Sequence, residues 1–178
     1  MRPKRSEVAS EPPRVPLGVY EKEDLLVLNE IMAKLNQNEK LIGLGAVIVA
    51  VAWVLGVIIT DSWYSASGAQ TMGLLAVVAA VAAVVVLYLK SAPGTTITWP
   101  APVSTILLIV AAVAGVLALI GLFQAFTYDP FKGLGGILGT YGVSKPVTIY
   151  LAAGGVVVGA GLMVYAAYME WTAAKKVI

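Results

Sequence analysis

Three carboxylates outside the N-terminal segment, Asp61, Asp129 and Glu170, are the acidic groups this chain offers for chemistry beyond its first forty residues. A pair of acids on one surface can act as general acid and base or hold a hard cation. Asp61 and Asp129 fall on the same side of the topology derived below, whereas Glu170 falls on the other. No nucleophile–base pair and no third acid accompanies them, so they read as solvated loop charges. The chain contains no Cys and no His. Disulfides, thiolate metal sites and cysteine nucleophiles are therefore excluded, and the commonest metal ligand and general base is missing. No phosphate-binding glycine loop and no basic–aromatic surface for nucleic acid occurs. On these grounds the sequence predicts no catalytic residues, no metal, no cofactor and no nucleic-acid partner.

The elements that would position such groups are apolar. Of 178 residues, 59% are hydrophobic and 12% charged, and the apolar ones are clustered. Four stretches, 41–59, 71–89, 104–126 and 147–169, contain no Asp, Glu, Lys, Arg or His. As helices they would measure roughly 28 to 35 Å, matching a hydrocarbon core of about 30 Å. The expected fold class is an all-α integral membrane protein, a four-helix transmembrane bundle preceded by an amphipathic cytoplasmic helix. Buried carboxylates or bases, which proton relays and voltage sensors need, are missing from the spans.

Residues 1–20 hold Pro3, Pro12, Pro13 and Pro16 among charged and small residues and are expected to be a disordered tail, with no cleavable signal peptide. Over 21–40 the pattern turns helical, with Glu21, Glu23 and Asp24 in the first turn. Leu25, Leu28, Met32 and Leu35 form one apolar stripe, while Glu30, Lys34, Gln37 and Glu39 leave the other faces wet. Three docking modes are open to this stripe: the membrane surface, a partner subunit, or a second copy. No Gly or Pro lies between Glu21 and Ile42, so the helix is expected to run directly into the first span.

Basic residues fix the expected orientation. With both termini cytoplasmic, ten Lys and Arg lie inside and two outside. Trp63, Tyr64, Trp99, Tyr128, Tyr141, Tyr168 and Trp171 fall at span ends, as interfacial belt residues do. The 20-residue loop from Thr127 to Pro146 holds Gly133, Gly135, Gly136, Gly139 and Gly142 among apolar residues and is expected to lie on the surface or to re-enter shallowly. Residues 170–178 form a cytoplasmic tail.

Small residues recur within the spans: Gly155 and Gly159 as GxxxG, Ala111 with Gly115, Ala76 with Ala80 and Ala79 with Ala83, and Ala52 with Gly56. In lipid no hydrophobic force drives helices together, so close approach between small residues does that work. These faces are expected to meet other helices, within the chain first and in a complex second. The candidate partner-binding residues are thus Leu25, Leu28, Met32, Leu35, Gly155 and Gly159. The functional expectation is a non-catalytic subunit of the plasma membrane that scaffolds, stabilises or assembles a larger complex. Its partners would be the lipid bilayer, other membrane subunits and, as a further option, copies of itself. The alternative is a small pore or facilitator formed by self-oligomerisation.

Overall fold

A computed structural model describes residues 29–66, 68–92, 97–127 and 147–176, with the side chains of 60–66 excepted. The tail 1–20, Leu25, Leu28, Asp129, Tyr128, Tyr141 and the glycines of the long loop lie outside the described residues, as do the side chains of Asp61, Trp63 and Tyr64.

All secondary structure among the described residues is helical. A helical stretch over 29–34 precedes four long helices: α1 (Gln37–Ala66), α2 (Ala69–Ser91), α3 (Val103–Thr127) and α4 (Val147–Lys175). Each of the four apolar stretches lies inside one of them, and all four helices are long and apolar enough to cross a membrane. At 30 and 29 residues, α1 and α4 extend to roughly 45 Å, about three turns more than a hydrocarbon core requires.

The helices run up and down and close into a ring. Successive helices are antiparallel neighbours, and α4 returns to α1, while the α2–α4 diagonal touches little. The buried residues explain the arrangement. On α2 they are Ala69, Gly73, Ala76, Ala80, Ala83 and Leu87, and on α3 Leu107, Ala111, Ala114, Ala118, Gly121 and Ala125. Steps of four and three alternate along both, a mean of about 3.6 residues, so each set forms one stripe along its helix. Most of these residues are Ala or Gly, so the helices approach until backbones and methyl groups meet. Leu107, Met163, Ile42 and Val49 complete the same core. Leu74, Val78, Val81, Ile109, Val116 and Val158 point outward and are exposed. Bulk lies outside and small volume inside, the reverse of a water-soluble bundle.

The expectation of an unbroken helix from 21 into the first span is not met. Leu35 and Asn36 interrupt it. Asn36 Oδ1 accepts from the Glu39 backbone N–H at 2.9 Å, and Glu39 Oε2 accepts from the Asn36 N–H at 3.0 Å. This reciprocal capping box starts a new helix at Gln37, because the side-chain oxygens satisfy donors that would otherwise need the preceding turn.

Candidate functional site: the polar end of the bundle

The capping box brings Asn36 and Glu39 to the end of the bundle where α2 and α4 finish. Glu39 is 2% exposed, which corrects its reading as part of a wet face. One carboxylate oxygen takes the Asn36 N–H, and the other pairs with the Lys90 ammonium from the last turn of α2. Lys90 is placed there by helix chemistry, since a cation complements the C-terminal end of the macrodipole. Its side chain is 40% exposed, against 3% for that of Glu39. A carboxylate this buried is sustained by two donors, one of them charged.

Asn36 serves a third helix as well. Its Nδ2 donates to both oxygens of Glu170 on α4 at 3.0 and 2.9 Å, and Asn38 Nδ2 adds a longer bond at 3.4 Å. Glu170 is therefore no isolated tail charge: it is the anchor of α4 on the start of α1. Ser91, buried at the end of α2, returns its hydroxyl to the Leu87 carbonyl at 2.6 Å. Three helix ends are thus tied through two carboxylates whose acceptor sites are turned to amide and ammonium donors. The arrangement holds backbone ends in register and fixes the angle at which residues 29–34 leave α1. One turn beyond Glu170, Lys175 sits over the Trp171 ring at 3.7 Å, and Tyr168 tilts against the same ring.

Comparison with known protein families, with curated proteins and with solved structures returns no match. The functional reading therefore rests on the geometry of this chain alone.

The remaining candidate residues fall into place as follows. Gly155 and Gly159 both face α1 of the same chain. A Cβ at Gly159 would stand 2.7 Å from the Val49 backbone nitrogen and 2.8 Å from the Gly45 carbonyl oxygen, and one at Gly155 would stand 2.8 Å from the Ala52 Cβ. The within-chain option for these glycines is the one the fold uses. Gly45, which the pattern of small pairs did not single out, is as tight, with the Gly159 carbonyl 2.7 Å from its absent Cβ. Leu35 packs against the core, whereas Met32 is 45% exposed. Of the residues that sequence reasoning missed, the Asn36–Glu39 pair carried a legible signal in its three-residue spacing. Lys90 carried none, because its partner is 51 residues away.

The opposite end is sparser. Trp53 Nε1 donates to the Gln70 carbonyl at 3.0 Å, and Phe126 stacks on Tyr150 with ring centroids 4.9 Å apart. Gly68, at φ +76°, opens α2 beside the Gln124 side chain, whose buried Oε1 has no hydrogen-bond partner among the described residues.

Proposed function

We propose that the protein is a non-catalytic integral membrane subunit that scaffolds or assembles a larger membrane complex. The observation that carries this reading is the rigid mounting at the polar end. Asn36, Glu39, Lys90 and Glu170 tie three helix ends together and set the direction in which residues 29–34 leave α1, a mounting suited to presenting a docking segment from a membrane-anchored block. The bundle axis is filled by Ala80, Ala83, Ala111, Ala114 and Ala160. Conduction, the alternative role, would accordingly have to occur between copies, and conductance of the purified protein in planar bilayers discriminates it.

Charge supports the orientation. The charged side chains among the described residues, Glu30, Lys34, Glu39, Lys40, Lys90, Glu170, Lys175 and Lys176, all gather at the end where α1 begins and α4 finishes. Lysines outnumber acids there, as the positive-inside rule expects of a cytoplasmic face, and a plasma membrane is the proposed location. Cysteines placed at the exposed Ala33 and Ala174 should be labelled from the cytoplasm, and one at exposed Thr127 from the opposite side. Labelling of Thr127→Cys and Ala174→Cys from one side would refute the topology.

The assembly role is tested on the arm. Leu28→Asp with Met32→Asp places two charges on the stripe, where a desolvated, unpaired charge costs several kcal/mol. Insertion should be normal, since the spans do not depend on the arm, while recovery of partner subunits after gentle extraction is lost. Equal recovery with the double variant, or a lone 18.5 kDa chain under every mild condition, would overturn the reading.

A further inference from the structure

We infer that the groove enclosed by residues 29–34, α1 and α2 binds an anionic phospholipid, with an acyl chain along the groove and the phosphate at Lys40 and Lys90. The inference rests on the membrane-embedded reading above. The groove has a volume of about 570 Å³ and is walled by Met32, Leu35, Leu44, Val47, Val84 and Tyr88. Its floor is low at Gly43, where an added Cβ would meet nothing within 4 Å. From Lys40 to Val47 it descends about 10 Å along α1, from the polar end into the apolar zone.

Charge distinguishes this groove from its neighbours. The groove between α1 and α4, of about 500 Å³, and that between α3 and α4, of about 450 Å³, have no charged side chain in their walls. Here Glu39 and Lys40 both border the opening, and they do not cancel. The Glu39 carboxylate is turned inward and taken by the Asn36 N–H and the Lys90 ammonium. Lys34 is held by Glu30 at 2.9 Å. Lys40 is exposed and has no acidic partner among the described residues, and Lys90 keeps much of its side chain in the open. The mouth therefore presents net positive charge above an apolar channel. That combination suits a lipid phosphate carrying no compensating choline.

The test uses the full chain purified in mild detergent, with native mass spectrometry during titration of phosphatidylglycerol or phosphatidylcholine bearing identical acyl chains. The wild type should retain one phosphatidylglycerol, in preference to phosphatidylcholine by about fivefold for each lysine engaged. Lys40→Gln should reduce that preference by about fivefold. Gly43→Phe should abolish retention of either lipid, because the ring enters the groove without displacing the core, and Val84→Trp from the other wall should do the same. Equal retention of the two lipids by the wild type, or undiminished retention by both groove-filling variants, would overturn the site. So would a lipid-free dimer that Gly43→Phe dissolves. Alkaline carbonate extraction separates the two levels of failure. Wild-type protein released by carbonate refutes membrane embedding and the site with it, whereas protein that stays in the membrane without headgroup preference refutes the site alone.

Discussion

Replacing Gly159 by Ala, with Gly161→Ala as its control, isolates the close approach of α1 and α4. At Gly159 the new methyl would lie 2.7 Å from the Val49 nitrogen, 2.8 Å from the Gly45 oxygen and 2.9 Å from Val49 Cγ2. Ordinary contact needs about 3.5 Å or more, so the helices must separate by several tenths of an ångström. Two of the three obstructing atoms are backbone, and no rotamer change relieves them. Overpacking of this kind costs about 1–3 kcal/mol, and the better helix propensity of Ala returns up to about 1. At Gly161, two residues on, an added Cβ meets nothing within 4 Å, so only the propensity gain remains. The propensity gain is common to both variants, so the expected gap is the overpacking cost, about 1–3 kcal/mol, with Gly159→Ala the less stable and Gly161→Ala neutral or slightly stabilised. Reversible unfolding in mixed micelles, followed by far-UV circular dichroism against denaturing detergent fraction, measures it. Variants equal within about 0.5 kcal/mol would show that α1 and α4 do not meet at Gly159.

Further outcomes follow from the two ends. Lys90→Met should destabilise more than Glu39→Gln, because it strands a carboxylate that is 3% exposed, at a cost of about 3 kcal/mol, while the half-open lysine left by Glu39→Gln turns to water. Combining the two should restore most of the loss, as read from the same unfolding curves. Asn36→Ala removes the cap, costing about 1 kcal/mol, and should let the helix run through residues 35–36. Spin labels at Ala33 and Ala174 would report that straightening as a changed distance, and an unchanged distance would refute the elbow. Gln124→Leu should be neutral or stabilising, since it deletes a buried oxygen that has no partner among the described residues, and a loss above about 1 kcal/mol would reveal a partner.

The four long helices were legible because long apolar runs without charge have few alternatives, and each run lies within a helix. Pairing was harder to read. Hydropathy is uniform around these helices, so it does not distinguish Ala80, which is buried, from Val81, which is exposed. Side-chain volume does distinguish them, and the alternating four- and three-residue steps of Ala and Gly on α2 and α3 mark the inward seam. Gly155 and Gly159 were visible as a motif, but their partner Gly45 has no GxxxG mate and emerges only when α1 is laid beside α4. No Gly or Pro marks the elbow; an Asn and a Glu three residues apart end one helix by starting the next. Contacts such as Asn36 with Glu170, 134 positions apart, have no local signature at all.

An Ala-built seam carries little information about sliding. One layer of methyl groups resembles the next, and a helix displaced by seven residues, about 10 Å, would set Ala against Ala again over much of its length. Ridge-and-groove fit alone would leave several alignments close in energy. A single polar position is known to select one alignment among near-equals, because every other leaves a charge or amide without a mate. Asn36, Glu39, Lys90 and Glu170 occupy that role for three helices at once: a slip of α2 strands the buried Glu39 carboxylate, and a slip of α4 takes Glu170 away from its amide donors. The polar end thus acts as the index mark of the bundle, converting a near-periodic set of alignments into one.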